Sequence, residues 1–583
     1  MAVEGIAVDA SSANNGFNGK ITLSVVLTCI VAASSGLIFG YDLGITGGVT
    51  TMKPFLEKFF PTVLKNATSA KTNMYCVYDD QLLTLFTSSL FLAGLFSSLL
   101  ASHVTMALGR RNTMIFGGCI FFAGGAINAA AENIAMLILG RILLGIGVGF
   151  TNQATPVYLS EMAPAKWRGA FNTGFQLFNN MGVVAANCIN FGTAPHPWGW
   201  RMSLGLATVP AAIMTIGALL IPDSPSSLVE RNHINQARNA LRKVRGPTAD
   251  VESELQLMIQ SSQVSKDMER ESFVAIFERR YRPQLVMALA IPLSQQLSGI
   301  SIVAFYAPNL FQSVVIGNNS ALLSAVVLGL VNLGSTLVST VVVDRLGRRV
   351  LFIVGGIQML VCMISAAVVL AMGSGVNGTE QISKGNAIAV LVLLCFYTAG
   401  FAWSWGPLCW LIPSEIFPMK IRSTGQSIAI AVQFLATFVL SQTFLTMLCH
   451  FKFGAFLFYA GWLALSTIFV ILFLPETRGI SLDSMYAIWG KHWCKKQLPL
   501  WDLQGLLNLV QAGEDDGLLG YVDLCWDLFP PLLDEVVVVG NHTRGSMIVD
   551  NNEWKDLRHW RCNGGVMTSE PQRRRFGCKI WRF

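Results

Sequence analysis

The sequence predicts an all-α membrane protein whose twelve transmembrane helices form two pseudo-symmetric six-helix bundles. Three observations carry that reading. Of 583 residues, 52% are hydrophobic and only 13% charged, with mean hydropathy +0.52, whereas soluble domains hold roughly a quarter charged residues. Twelve runs are apolar over the length that a spanning helix needs, about 20 residues. A charged motif also occurs twice, 254 positions apart. The first copy, PVYLSEMAPAKWRG, holds Ser160, Glu161, Pro164, Lys166 and Arg168; the second, WLIPSEIFPMKIRSTG, holds Ser414, Glu415, Pro418, Lys420 and Arg422.

Residues 1–20 are polar and form an N-terminal segment without a cleavable leader, so the first span is expected to act as its own insertion signal. Apolar runs near 22–52, 82–102, 113–131, 134–159, 171–195 and 202–222 make the first bundle (21–222), with an outer loop at 53–81. These runs are apolar all round rather than striped, which excludes a soluble helical core. Residues 223–282 mix acids and bases with apolar residues at helical spacing, as in short linker helices. Runs near 284–316, 320–343, 350–373, 387–413, 423–449 and 453–474 make the second bundle (283–475). The end of the recognisable pattern is 476–493. Residues 494–583 form a polar tail with Glu514–Asp516 and Arg573–Arg575 clusters, read as a disordered or aberrant extension.

Two more markers repeat in the same order. LGRR at 108–111 returns at 346–349, and PDSP at 222–225 returns loosely as PETR at 475–478. Three ordered markers argue for parallel repeats of a six-span unit. The basic turns fall on one side of the count, so the positive-inside rule places them, both termini and the linker in the cytoplasm. Arg110, Arg111, Glu161, Arg168, Arg345, Arg348, Glu415, Arg422 and Glu476 are the candidate inner gate. Ion pairs at such a wet surface are expected to contribute about 0–1 kcal/mol each, and several together bias a transition between two states.

Inside the membrane, Asp42 lies in LIFGYDLGITGG and Arg141 in LILGRILLG, at matching depths. A charge there costs several kcal/mol unless paired or hydrated, which marks both as functional candidates. A carboxylate's proton affinity rises on desolvation and falls beside a guanidinium, so a movable pair suits proton coupling. The seventh run, IPLSQQLSGISIVAFYAP, carries Gln295 and Gln296 in a helix that Gly299 and Pro308 can break. Amides suit an uncharged polar ligand because each donates and accepts at once, and an aromatic ring such as Trp410 can cover an apolar face of such a ligand. Gln176, Asn332, Gln433 and Thr437 add uncharged polar groups at membrane depth; for any one of them, helix–helix hydrogen bonding is the alternative. No nucleophile–base pair or metal cluster is legible, so neither an enzyme nor a metal or cofactor is expected.

With LGRR, PDSP, SEMAPAKWRG, QQLSG, GPLCWLIPSEIFP and PETRG in order, residues 15–493 resemble the sugar porters of the major facilitator superfamily. More narrowly the chain is similar to the plant sugar transport proteins, proton–monosaccharide symporters. The resemblance implies the major facilitator fold and alternating access, with Asp42 as proton site and Arg141 as its partner. It implies a site for a hexose, glucose-like, built from Gln176, Gln295, Gln296, Ser301, Asn332, Gly406, Trp410, Gln433 and Thr437. It also implies a disulfide between Cys76 and Cys449 across an outer lid. Monosaccharide, protons and the lipid bilayer are the implied partners, with no nucleic acid, for a monomer in the plasma membrane. Departures from the family pattern are Ser301 and Gln433 in place of Asn, Cys409 in place of Gly, and Met106 in place of a basic residue. The first two bear on sugar preference. An uncoupled sugar facilitator and a non-transporting sugar receptor are the alternatives. One rigid helix through Gly406–Gly425 is expected to connect Trp410 to Glu415 and Arg422.

Overall fold

The computed structural model describes residues 22–63, 81–246, 250–266, 272–278, 281–300, 303, 320–374, 383–451, 454–478, 539–540 and 578–579. The chain separates into two compact units, residues 1–492 and 493–583. In the first unit, the opening span consists of α1 (Leu23–Ala33) and α2 (Ser35–Val49), and α3 (Lys53–Phe59) follows. The first half continues with α4 (Gln81–Leu108), α5 (Arg110–Ala129), α6 (Ile134–Met162), α7 (Arg168–Thr193), α8 (Gly199–Gly205) and α9 (Thr208–Leu220). Four short helices come next: α10 (Pro225–Glu230), α11 (Ile234–Arg245), α12 (Val251–Lys266) and α13 (Ser272–Ala275). The second half holds α14 (Arg282–Gln296), α15 (Ser320–Leu346), α16 (Arg348–Ser374), α17 (Lys384–Trp403), α18 (Trp405–Ile416), α19 (Met419–Phe451) and α20 (Gly454–Phe473).

Among the described residues, ten helical stretches have the length and apolarity of a membrane span. Two further helices complete the twelve positions of the sequence count. Helix α7 has 26 residues, but Asn172, Gln176, Asn179, Asn180, Asn187 and Asn190 on its buried face lower its hydropathy. Helix α14 is described over 15 residues and ends at Gln296; three residues on, Gly299 takes a φ of 93° that only glycine adopts freely.

Both LGRR turns use the same device. Gly109 and Gly347 take φ of 91° and 94°, which turns α4 sharply into α5 and α15 into α16. The space a Cβ would fill is taken by the carboxylates of Asp223 and Glu476 respectively. Asp223 accepts from the backbone N–H of Arg111 at 3.1 Å, and Glu476 from those of Arg348 and Arg349 at 3.0 and 3.1 Å. The PDSP and PETR segments therefore supply the acid that satisfies free amides at a helix start, where the helix dipole favours negative charge.

Each half has its own apolar core, but Trp410, Ile430 and Phe434 of the second half pack into the core of the first. The halves meet where α4 runs along α19 and α7 along α15. Cross-half bonds tie α4 to α19 at both ends: Gln442 Nε2 donates to Ser88 Oγ at 2.6 Å, and Ser102 Oγ meets Thr424 Oγ1 at 3.1 Å. Large apolar side chains such as Phe96, Leu220 and Met372 face outward, as a hydrocarbon solvent requires.

The stretch expected as one rigid helix is divided. Helix α18 ends at Phe417 (φ −93°, ψ 141°), because a residue before proline, here Pro418, is pushed out of helical conformation. Trp410 and Glu415 share α18, while Arg422 belongs to α19. In the second unit the described residues are β1 (Val539–Gly540) and β2 (Cys578–Lys579), an antiparallel pair with Val539 opposite Lys579. The rest of the tail lies outside the described residues.

Candidate functional site

Asp42 on α2 and Arg141 on α6 meet inside the first half: Arg141 Nη1 donates to Asp42 Oδ1 at 2.5 Å, with both side chains buried. Arg141 Nη2 donates to Thr46 Oγ1 at 2.8 Å, one turn from Asp42, and its guanidinium lies 4.4 Å from the Phe86 ring centroid. Thr46 and Phe86 were not legible as site residues, although the spacing from Asp42 to Thr46 does put both on one helix face. The close approach of α2 that aims Asp42 inward depends on small residues. A Cβ on Gly40 would lie 1.8 Å from the backbone oxygen of Asn179 on α7, a backbone contact of the kind that small residues allow in membranes.

The uncharged candidates fall into three groups. In the first, Trp410 Nε1 donates to Gln176 Oε1 at 3.0 Å, across the two halves. Phe39 and Phe175 hold the indole edge-on, with centroids at 6.0 and 5.1 Å. Gln176 Nε2 donates to Asn180 Oδ1 at 3.2 Å, and Asn180 Nδ2 donates to Asn332 Oδ1 at 2.9 Å. In the second group, Gln296 Nε2 donates to Gln295 Oε1 at 3.2 Å. In the third, the Cys409 thiol donates to Gln433 Oε1 at 3.5 Å, and Thr437 Oγ1 donates to the Gln433 carbonyl at 2.8 Å. The Cys409 departure thus touches the Gln433 departure directly. Gly406 stands just after the break at Ser404, where a Cβ would come within 3.2 Å of the Phe401 carbonyl. Ser301 and Cys76 lie outside the described residues, as does the side chain of Cys449. Asn180 was missed, though it follows Gln176 by one helical turn.

The gate residues correct the picture of wet surface pairs. Arg110, Glu161, Arg348, Glu415 and Arg422 are all buried, so their contacts belong to the regime in which stripping one partner costs about 3–5 kcal/mol. Their pairing repeats between halves. Arg110 Nη2 reaches Glu161 at 3.1 Å and Arg348 Nη2 reaches Glu415 at 3.0 Å. Ser224 Oγ donates to Glu161 and Thr477 Oγ1 to Glu415, at 2.5 and 3.2 Å. Glu161 also accepts from Arg422 Nη1 of the other half at 3.3 Å. Further bonds close the same face: Asn172 Nδ2 to Ser414 Oγ at 2.9 Å, Gln153 Nε2 to the Ser423 carbonyl at 3.0 Å, and the amides of Gly169 and Ala170 to Asp344.

Arg168 Nε donates to the Ser160 carbonyl, and Arg111 to the carbonyls of Ala218 and Leu219. Arg345 is exposed, with no ion pair among the described residues. Its neighbour Asp344 makes the contacts instead, pairing with Arg348 at 2.9 Å. Asp344 and Glu230, which binds Arg110 at 2.6 Å, were not read from the sequence as gate residues. Glu230 is pushed above the ordinary carboxylate range by burial, against the pull of Arg110. Among the described residues no His, Cys, Asp and Glu side chains cluster as a metal site would need.

The family described as "Sugar (and other) transporter" matches residues 28–489. Sugar transport protein 5 of Arabidopsis thaliana is 63% identical over 496 residues, which cover 85% of this chain and 98% of that protein. A structure of the major facilitator superfamily proton:xylose symporter XylE bound to 6-bromo-6-deoxy-D-glucose matches with TM-score 0.69 at 27% identity, covering 80% of this chain and 99% of that one. An inward-open structure of the xylose transporter XylE from E. coli covers 80% and 100% of the two chains at 26% identity, with TM-score 0.58.

Proposed function

The chain belongs to the sugar transporter family, in the plant sugar porter branch of the major facilitator superfamily, and from that premise we propose that it imports a hexose-type monosaccharide together with a proton by alternating access. The observation that carries the coupling is the Asp42–Arg141 pair, two opposite charges buried at 2.5 Å in a membrane-spanning half. Protonation of Asp42 cancels the charge that holds Arg141, and the freed guanidinium then tends toward Thr46 and any hydrated space that opens. The proton is released when the pair re-forms. A symporter uses this linkage by making the unpaired state the one that admits and holds the sugar.

The sugar reading draws on the uncharged groups around Trp410. Gln176 and Asn332 come from opposite halves and are joined through Asn180, so their spacing depends on how far the halves are apart. The basic face is closed in this conformation by the Glu161–Arg422 and Asn172–Ser414 contacts. We assign the basic face to the cytoplasm, since Arg110, Arg111, Arg348, Arg349 and Arg422 cluster there, and the protein to the plasma membrane as a monomer.

The test is uptake of labelled sugars in cells that lack hexose transport, across external pH and against a panel of competing sugars. Accumulation should follow the inward proton gradient and disappear in Asp42→Asn. Accumulation that ignores the gradient and survives Asp42→Asn would leave an uncoupled facilitator. Binding without any uptake would leave a receptor.

A further inference from the structure

We propose that Asn180 is a positioning residue that fixes the hydrogen-bond polarity of the sugar site, so that Asn332 turns its N–H donors toward the sugar. The proposal rests on the monosaccharide reading above. Its starting point is the indole of Trp410, a group that donates and cannot accept. The atom of Gln176 that meets it at 3.0 Å must therefore be the carbonyl oxygen. That leaves the Gln176 amide nitrogen facing Asn180 at 3.2 Å, and a nitrogen donor there requires the Asn180 oxygen. The Asn180 nitrogen then points the other way, and its two hydrogens go to Asn332 Oδ1 at 2.9 Å and Thr336 Oγ1 at 2.7 Å. Thr336 is free to accept because its own hydrogen is directed to the Asn332 and Ala402 carbonyls, at 2.9 and 3.2 Å.

Each amide has two ends of opposite character, so one donor-only group at the start of the chain settles the orientation of every member. The last member is Asn332, half-buried, whose Oδ1 is held by Asn180 and whose Nδ2 has no partner among the described residues. Its two N–H groups are what a ligand between the halves would meet. Asn180 is almost wholly buried and is the step that carries this polarity from α7 of one half to α15 of the other. A buried amide network specifies one arrangement only when each member is satisfied in turn. Here the unsatisfied end lies at Asn332.

The chemical consequence concerns the sugar oxygen facing Asn332, which must act as acceptor. A fluorine in place of that hydroxyl still accepts weakly and cannot donate, while a hydrogen does neither. The experiment uses the full chain in hexose-uptake-deficient cells, with mono-deoxy and mono-fluorodeoxy hexoses competing against a labelled monosaccharide. In the wild type, one ring position should give a deoxy analogue that competes about tenfold more weakly than its fluoro counterpart, the scale of one hydrogen bond. In Asn180→Leu that contrast should shrink to less than about twofold, with KM raised about tenfold and maximal uptake within about twofold. Trp410→Phe keeps an aromatic ring and removes the anchoring N–H together with the pyrrole ring that bears it, so it should erase the same contrast. It is read in place of Asn180→Leu if that variant does not reach the membrane. A contrast that survives in the variant overturns the assignment, as does a wild type in which fluoro and deoxy analogues compete alike at every position. Absence of any monosaccharide uptake by the wild type would instead overturn the transport reading itself.

Discussion

Replacing Arg422 by Leu removes a bond that exists only while the two halves meet at the basic face. Its Nη1 lies 3.3 Å from Glu161 Oε1, and both side chains are inaccessible to solvent. Stripping a buried charge of its only partner costs about 3–5 kcal/mol, but Glu161 is not left alone. Arg110 of its own half still reaches it at 3.1 Å, and Ser224, at the start of the linker that follows that half, at 2.5 Å. What is lost is one charge-assisted hydrogen bond, worth about 1.5–3 kcal/mol. The second contact of Arg422, from Nε to the Phe417 carbonyl at 3.2 Å, lies within its own half and is present in either state. The cross-half loss falls wholly on the closed state, so the equilibrium should move toward opening by about 10- to 100-fold. Spin labels on the exposed positions Asn112, at the start of α5, and Val350, at the start of α16, would report it as a longer pulsed-EPR distance in Arg422→Leu. Glu476→Gln, which alters a cap inside one half, should leave that distance unchanged. An identical distance distribution in folded Arg422→Leu and wild type would refute the reasoning, because the pair would then not hold the face closed.

Trp410→Ala should weaken sugar binding by well over tenfold, since it removes the ring, the donor to Gln176 and the contacts with Phe39 and Phe175; an unchanged dissociation constant in direct binding would remove Trp410 from the site. Gly40→Ala should force α2 away from α7, because the new Cβ would stand 1.8 Å from the Asn179 backbone oxygen; overpacking of this kind costs about 1–3 kcal/mol or more, to be read as a lower melting temperature in detergent. Glu132, in the exposed connection between α5 and α6, is held below the ordinary carboxylate range by hydrogen bonds from Lys58 and Arg201. Because its folded pKa is depressed, this tie is present above the unfolded value and lost as pH falls through the folded one. Hydrogen-exchange protection over 53–59 and 196–201, taken relative to the intrinsic rate at each pH, should therefore fall at acid pH in the wild type, and Glu132→Gln should show the lower protection at every pH.

Much of the site was legible because it follows from local rules. Asp42 and Arg141 stood out because charge in a hydrocarbon run is costly, and they do meet. The acids of PDSP and PETR stood out as repeats, yet their work as caps for Gly109 and Gly347 turns needed the return of α9 and α20 to the LGRR turns. Asn180 and Asp344 were passed over although each lies four residues from a chosen neighbour, Gln176 and Arg348. Helical spacing put both in view, but nothing in the spacing said that the opposite half would meet them.

The sequence by itself determined the helical membrane class, the twelve runs, the duplication and the family, since apolar length, charge placement and repeated motifs are properties of linear order. Only the tertiary structure decided that Glu161 is shared between Arg110 and Arg422 while Glu415 pairs with Arg348 of its own half. It alone decided that Trp410 packs into the other half's core, and that Phe417 divides the stretch from Gly406 to Gly425. Spacing along a helix fixes which residues share a face. Which two faces meet, and which of several equivalent arginines reaches a given carboxylate, is set by the packing of separate helices across the join between the halves.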